Sequence, residues 1–191
     1  MIRILKLALA LAAMMFSQAY AQGAFNKTLT LQGVNFHVTC ANQGSQNTLR
    51  IVPSGAVHNV RNIEQEIDGS VIGAEVADLD GNGTPEIYVF VQSAGSGSYG
   101  TVVGHAVNRG SSITPIVMPE LTDDARASSG YMGRDRFSIA GDRLVRQFPV
   151  YRDGDSNAAP SGGTRQLHYR LVPREASWAL QLIPGETKDS R

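Results

Sequence analysis

Short runs of apolar residues, alternating with polar ones and separated by turn-forming residues, make up most of the chain. The most apolar run is Glu86–Gln92, with β-branched or aromatic side chains at both alternating sets of positions, which predicts a strand buried on both faces. Gln166–Val172 alternates, so Leu167, Tyr169 and Leu171 are expected to face the core. Eight or nine runs of this kind indicate an all-β sandwich or barrel.

Two pairs of neighbouring runs have the spacing of β-hairpins. Thr101–Val107 follows Glu86–Gln92 after a loop rich in serine and glycine. Arg136–Ala140 and Leu144–Tyr151 flank a turn at Ala140-Gly141-Asp142. Both arrangements predict that the two strands of each pair lie side by side and antiparallel.

Other segments give weaker patterns. Thr28–Cys40 is a long run in which Gly33 predicts a bulge or a tight turn. Val60–Glu66 fits either a short helix or an edge strand, and Pro119–Ser128 fits a helical turn that opens at a proline. One or two short helices are therefore expected beside the strands. The polar tail, Pro184–Arg191, is expected to be frayed.

The first 21 residues have the three parts of a secretory signal peptide. Arg3 and Lys6 form a positive n-region, Leu7–Phe16 is an apolar h-region, and Ala19 and Ala21 stand where a signal peptidase requires small residues. A membrane-spanning helix is the alternative, but the apolar run is shorter than the roughly 20 residues that a bilayer core needs. We therefore expect cleavage after Ala21 and export to the periplasm.

Residues 22–191, expected to form a single domain, carry little net charge. Arg3 and Lys6 account for two of the 17 basic residues, which leaves 15 basic against 17 acidic ones and a formal net charge of −2. This balance argues against a protein that binds nucleic acid or an anionic membrane surface. The single cysteine, Cys40, excludes an intrachain disulfide. Its apolar neighbours favour a buried side chain over a free reactive thiol.

No constellation in the sequence indicates an enzyme. The four histidines are scattered without metal-ligand spacing, and there is no Gly-x-Ser-x-Gly elbow. Carboxylate pairs such as Asp123-Asp124 adjoin in sequence, which does not place them on opposite sides of a sugar. We therefore expect a protein without catalytic activity. The histidines are His37, His58, His105 and His168.

The acidic turn over residues 78–86 has the spacing of part of a calcium loop. Positions 1, 3, 5, 6 and 9 of such a loop are occupied by Asp78, Asp80, Asn82, Gly83 and Glu86. Position 12, which supplies a bidentate carboxylate in calcium loops, is Val89. The alternative is a tight turn in which aspartate and asparagine bond their own backbone. No cofactor is expected, although Ca²⁺ remains open.

The loop Ser93–Gly100 has an unusual composition for a hairpin connection. Three glycines, three serines and one tyrosine are concentrated in eight residues. The hydroxyls of Ser96 and Tyr99 can each donate and accept hydrogen bonds, and the glycines allow close approach to another surface. A projecting finger that binds a partner and a flexible connection whose Tyr99 folds back on the sheet both fit this composition.

Eight sequence blocks follow one another in a characteristic order: 76–83, 85–89, 93–100, 121–124, 130–133, 148–151, 154–157 and 162–167. In this order the blocks resemble the periplasmic inhibitors of invertebrate-type (i-type) lysozymes. Together they are far more specific than the tetrapeptide Ser-Gly-x-Tyr is alone. The related inhibitors of chicken-type lysozyme share a similar tetrapeptide but usually carry a disulfide, which Cys40 cannot form alone.

The resemblance implies an eight-stranded antiparallel β-sandwich and a loop that enters the active-site cleft of the lysozyme. The inhibitory motif then falls on Ser96, Gly97 and Tyr99, and the two hydroxyls would bond the catalytic glutamate and aspartate of the enzyme. Supporting loop residues are Ser93, Gly95, Ser98 and Gly100. The alternative function is a calcium-stabilised extracytoplasmic module that binds cell-wall glycan, and a homodimer stays open.

Overall fold

The computed structural model describes residues 23–190, which form an all-β structure of two sheets, as predicted. The predicted signal peptide lies outside the described residues. The strands are β1 (Phe25–Leu31), β2 (Val34–Cys40), β3 (Gln46–Gly55), β4 (Ile63–Asp68), β5 (Ser70–Ala77), β6 (Glu86–Gln92), β7 (Gly100–Asn108), β8 (Ser112–Val117), β9 (Arg136–Ala140), β10 (Arg143–Pro149), β11 (Thr164–Pro173), β12 (Trp178–Leu182) and β13 (Lys188–Ser190).

The first sheet is an antiparallel meander of β1, β2, β3 and β4 in that order. The turn between β1 and β2 places Gln32 and Gly33 at φ of 50° and 79°, the left-handed conformation that two-residue hairpin turns require. The tight turn predicted at Gly33 is therefore confirmed. The ambiguous segment at residues 60–66 contributes β4, which is an edge strand and not a helix.

The second sheet has nine strands and nearly closes into a barrel. Its order is β5-β6-β7-β8-β12-β11-β10-β9, with β13 paired to β11. All of its pairs are antiparallel except β8–β12, which is parallel. The two end strands meet where the backbone N–H of Ile139 on β9 donates to Glu75 on β5 over 3.1 Å. The closed curvature and the number of strands differ from the predicted sandwich of about eight, because alternation shows which face is buried but not how far a sheet curls.

Two apolar cores lie on either side of β6. One fills the interior of the nine-stranded sheet and contains Tyr88 and Phe90, and the other lies between the two sheets and contains Ile87 and Val89. The prediction that Glu86–Gln92 is buried on both faces is confirmed. Cys40 belongs to the core between the sheets and is 4% exposed, so its predicted burial is confirmed as well.

Both predicted hairpins are present. The β6–β7 pair brings Gln92 opposite Gly100, so the serine–glycine loop connects two directly adjacent strand ends. The β9–β10 pair brings Ala140 opposite Arg143. The core therefore sets the position of the 93–100 loop, because β6, from which it emerges, is buried on both faces.

Two short segments differ from expectation. The helical turn after Pro119 is a short 3-10 turn, Leu121–Asp123, that begins two residues later. Residues 184–190 are not frayed, because they form a second 3-10 turn, Pro184–Glu186, and β13. Arg165 on β11 holds this segment by two hydrogen bonds to Asp189, of 2.8 and 3.0 Å. A polar composition could not show that a charged side chain on another strand would pair with it.

Candidate functional site

The loop at residues 93–100 is closed at its base by its own hydrogen bonds. The backbone N–H of Ser93 donates to the carbonyl of Tyr99 over 2.8 Å. The N–H of Tyr99 donates in turn to Oγ of Ser93 over 3.0 Å, and the N–H of Ser98 donates to the carbonyl of Gly95 over 2.9 Å. Ser93, predicted as a supporting residue, therefore joins the start of the loop to Tyr99 near its end.

Two neighbouring segments hold the tip of the loop from outside. The backbone N–H of Arg134 donates to the carbonyls of Gly97 and Ser98, over 2.8 and 3.1 Å. The side-chain amide of Asn157 donates to the carbonyl of Ser96 over 3.2 Å. Three successive loop carbonyls are thus fixed by residues far away in the sequence. The loop is therefore braced by two other segments of the chain.

Glycine is required at the points where the loop touches itself and its support. A Cβ added to Gly97 would lie 2.9 Å from Cδ2 of the Tyr99 ring and closer still to Cε2. Gly133 has φ of +93°, and a Cβ there would overlap the carbonyl oxygen of Gly97. A Cβ added to Gly100 would lie 2.8 Å from the Phe137 ring. The contact between Gly97 and Tyr99 therefore sets where the tyrosine ring lies.

The Tyr99 side chain packs against the protein on one side and is exposed to solvent on the other. Its ring meets the ring of Tyr131 edge to face, with centroids 5.6 Å apart and an interplanar angle of 72°, and Tyr131 continues the stack onto Phe148. Tyr99 nevertheless remains 51% exposed. Aromatic pairs in this arrangement contribute about 0.5–1.5 kcal/mol beyond their buried area. One side of the ring is thus oriented by the protein, while the rest is available to a partner.

A buried network of polar side chains anchors the end of the loop. Asp135 is 1% exposed and accepts three hydrogen bonds: from the N–H of Gly100 at 2.7 Å, from the hydroxyl of Tyr131 at 2.6 Å and from Nε of Arg146 at 2.6 Å. Nη2 of Arg146 also donates to the Tyr131 hydroxyl over 2.8 Å. Each group in this network is paired, which is the condition under which a buried ion pair is tolerated.

The electrostatics of this network keep Arg146 charged and Tyr131 neutral. Burial alone would lower the pKa of Arg146, but the charge of Asp135 and its hydrogen bond raise it overall. Burial raises the pKa of Tyr131 above its ordinary value, and the hydrogen bond to Asp135 adds to this. The anchor should therefore keep the same protonation state throughout the neutral range.

An open cleft of about 370 Å³ lies beside the loop. Tyr99 and Gly100 line one side of it, Met118 and Leu121 line another, and Arg146 is among its lining residues. The exposed part of Tyr99 therefore borders a concave surface as well as the solvent.

The loop itself carries hydrogen-bonding and stacking groups but no charge. Within residues 23–190, the hydrogen bonds of Ser96 and Tyr99 are all made by their backbones. Both side-chain hydroxyls remain available for a partner. Residues 93–100 include no Asp, Glu, Lys, Arg, His or Cys, so the groups that the loop offers a partner are hydroxyls, backbone amides and one aromatic ring.

Comparison with protein-family models and with curated proteins gives no match. Among the described residues, no helix has the length and apolar character that spanning a bilayer requires. The function must therefore be argued from the site itself.

The predicted acidic turn forms a second polar site between β5 and β6. Oδ2 of Asp78 accepts hydrogen bonds from the N–H of Gly83 at 2.9 Å and from the side chain of Gln32 at 2.7 Å. Oδ2 of Asp80 accepts one from the side chain of Asn82 at 2.6 Å. These contacts fit the turn interpretation. Oδ1 of Asn82 accepts the N–H of Thr84 over 2.8 Å, so its carbonyl oxygen is already engaged.

Glu86 differs from the two aspartates of this turn in its burial. Its side chain is fully buried at the start of β6, where Oε2 accepts a hydrogen bond from the N–H of Leu79 over 2.8 Å and a longer one from the Tyr88 hydroxyl, at 3.3 Å. Oε1 has no partner among the described residues. Burial raises the pKa of Glu86 to about 8, and the charges of Asp80 and Asp78 add to this.

Sequence reasoning located the loop but missed its anchors. Asp135, Arg146 and Asn157 had no predicted role, although Asn157 and Tyr131 belong to blocks that carried the family resemblance. An indirect signal was present: Arg146 occupies the same alternating positions of β10 as Leu144 and Phe148, and a charge on such an apolar face needs a buried partner.

Proposed function

We propose that this chain is a periplasmic protein inhibitor of invertebrate-type lysozyme, which inserts the 93–100 loop into the active-site cleft of the enzyme. The observation that carries the proposal is the combination, in one braced loop, of a half-exposed Tyr99 and an exposed Ser96 whose hydroxyls are free to bond a partner. The resemblance of several ordered sequence blocks to this inhibitor family supports the same assignment.

The chemistry of the loop suits a glycosidase cleft. Such a cleft holds two carboxyl groups, and the pKa of the general acid is raised. An inserted loop displaces the water that bonds these groups, and each buried polar group left unpaired costs about 1–3 kcal/mol. The hydroxyls of Ser96 and Tyr99 can replace those hydrogen bonds without placing a second negative charge beside the carboxylates.

The bracing of the loop supports tight binding. Ordering a side chain or loop at an interface costs about 0.5–1.5 kcal/mol for each side chain immobilised. Here Gly97, Ser98 and Ser96 already have their carbonyls bonded to Arg134 and Asn157, so much of this cost is met during folding. The Tyr99 ring can fill a subsite shaped for a sugar, which makes it the expected hot spot.

The proposed function requires that the protein is exported from the cytoplasm. A lysozyme from outside attacks the cell wall, so an inhibitor must meet it beyond the cytoplasm. The predicted signal peptide over residues 1–21 would place the domain there.

An inhibition assay with a panel of lysozymes tests the proposal. The purified protein is titrated against invertebrate-, chicken- and goose-type lysozymes while lysis of peptidoglycan is followed. We expect inhibition of the invertebrate-type enzyme, and a loss of about 10-fold or more in the Ser96→Ala and Tyr99→Ala variants. Ser111→Ala, at the opposite end of β7 from the loop, is the matched control and should inhibit as the native protein does. No inhibition of the invertebrate-type enzyme would contradict the proposal.

A further inference from the structure

The turn between β5 and β6 gathers three carboxylates at one point. Asp78, Asp80 and Glu86 each offer an oxygen, and these oxygens all lie within 4.8 Å of one another. None of the three makes a salt bridge to a basic side chain within residues 23–190. The described chain therefore brings no cationic side chain to these three carboxyl groups.

Glu86 supplies the observation that separates this cluster from an ordinary acidic turn. Exposed aspartates can be solvated, but the Glu86 side chain is 0% exposed and its Oε1 has no hydrogen-bond partner among the described residues. A buried polar atom left without a partner costs about 1–3 kcal/mol, and more for a charged group. One oxygen of this carboxylate lies within 4.8 Å of oxygens of Asp78 and Asp80, so a cation bound among the three residues would contact the Glu86 carboxylate.

The spacing of the oxygens fits a calcium ion. Calcium binds oxygen ligands at 2.3–2.6 Å, so ligands on opposite sides of the ion stand at most about 5 Å apart. The three carboxylate oxygens lie within 4.8 Å of one another, as ligands of one calcium ion do. Calcium accepts irregular arrangements of its ligands, whereas magnesium demands a near-ideal octahedron, so calcium is the ion that we expect.

We infer that Asp78, Asp80 and Glu86 form a calcium site that fastens the β5–β6 turn to the end of the barrel. Glu86 takes the part of the carboxylate missing at position 12, where Val89 lies in the core. Glu86 occupies position 9 of the turn, and its side chain is buried inside the fold. The inference is independent of lysozyme inhibition.

The site is remote from the proposed inhibitory loop. β6 runs from Glu86 to Gln92, and the loop begins at the next residue. Seven residues of strand at about 3.3 Å each place the two sites roughly 20 Å apart. The ion is therefore expected to stabilise the fold without touching the lysozyme.

Thermal unfolding with and without calcium tests this inference. The protein is treated with EDTA, dialysed, and melted in buffer alone, with 1 mM CaCl2 or with 1 mM MgCl2. We expect calcium to raise the Tm by about 5 °C or more, and EDTA to reverse the rise. Calorimetric titration of the EDTA-treated protein should give one calcium per chain.

Variants show whether these residues hold the ion. Asp80→Asn keeps the size of a partly exposed side chain and should remove the calcium-dependent rise, while lysozyme inhibition is retained. Glu86→Gln provides a second test on the buried ligand. Asp153→Asn, an exposed carboxylate outside the cluster, is the matched control and should keep the full rise. The inference is wrong if calcium leaves the native Tm unchanged, if magnesium raises it equally, or if Asp80→Asn responds as the native protein does.

Discussion

Asp135 and Arg146 form a buried ion pair, with Nε of Arg146 donating to Oδ1 of Asp135 over 2.6 Å. The other oxygen of Asp135 accepts the backbone N–H of Gly100, at the end of the proposed inhibitory loop. A side chain inside the barrel therefore holds the residue that follows Tyr99. This relationship links the stability of the core to the position of the loop, and it makes the loop sensitive to changes that no partner would touch.

The Tyr131 hydroxyl should contribute both to stability and to inhibition. It donates to Asp135 and accepts from Arg146, so Tyr131→Phe leaves two buried charged groups each short of one hydrogen bond. We expect the free energy of unfolding to fall by about 1–3 kcal/mol, measured by urea denaturation. The ring contact with Tyr99 is retained, so inhibition should weaken less than in Tyr99→Ala. An unchanged free energy of unfolding would show that the hydroxyl contributes nothing to the network.

Removing the charge of Asp135 should be far more disruptive. Asp135→Asn leaves the Arg146 guanidinium buried beside a neutral group, and breaking a buried pair from one side costs about 3–5 kcal/mol. Urea denaturation measures this loss. Asp142→Asn is the control, because Asp142 pairs with Arg143 at the exposed hairpin turn, where an ion pair contributes about 0–1 kcal/mol. Equal losses in the two variants would contradict the buried-anchor interpretation.

Gly97 and Gly95 offer a matched test of the loop geometry. A Cβ at Gly97 would overlap the Tyr99 ring, whereas a Cβ at Gly95 meets nothing within 4 Å, and neither residue has a positive φ. Gly97→Ala should therefore displace the ring and weaken inhibition by about 10-fold or more, with little change in Tm, because loop tips contribute little to core stability. Gly95→Ala should inhibit like the native protein. The inhibition constants of the two variants test this prediction, and equal constants would contradict it.

His105 should make the protein less stable in mild acid. Burial lowers the pKa of this histidine, and its Nδ1 has no partner among the described residues. The unfolded chain binds the proton more readily, so the stability contributed by neutral His105 is complete above about pH 6.5 and is lost as the pH falls through the lower folded-state pKa. Its slope is at most about 1.4 kcal/mol per pH unit.

Urea midpoints at pH 8, 6.5 and 5 measure this effect. The native protein should lose more stability between pH 6.5 and 5 than His105→Leu does, since leucine at this position has no proton to bind. Equal losses in the two proteins would show that other groups are responsible for the acid sensitivity.

The strands and the loop could be predicted because their signals are local. Glu86–Gln92 and Arg136–Ala140 carry the period of a strand along their own sequence, and the serine–glycine composition of residues 93–100 marks a connection by itself. The near-closure of the nine-stranded sheet could not be predicted in this way, because it depends on Glu75 meeting Ile139 across 64 positions.

The residues that anchor the loop could not be predicted either, because they also depend on contacts between distant parts of the sequence. Asp135 precedes β9 as an ordinary charged residue, and nothing in its neighbourhood indicates that Arg146, Tyr131 and Gly100 all converge on it. Glu86 was placed in the acidic turn from its spacing, but its complete burial follows from the packing of β5 and β7 on either side of β6. Long-range contacts of this kind decide whether a polar side chain is solvated, paired or left to bind an ion.

The inhibition constant of the double variant Ser96→Ala/Tyr99→Ala against an invertebrate-type lysozyme tests the central proposal most directly. The variant removes both hydroxyls and the exposed ring while the braced backbone of the loop remains, so an unchanged Tm serves as the control for folding. We expect the native protein to inhibit and the double variant to be weaker by about 100-fold or more. Full inhibition by a folded double variant would contradict the assignment of the 93–100 loop.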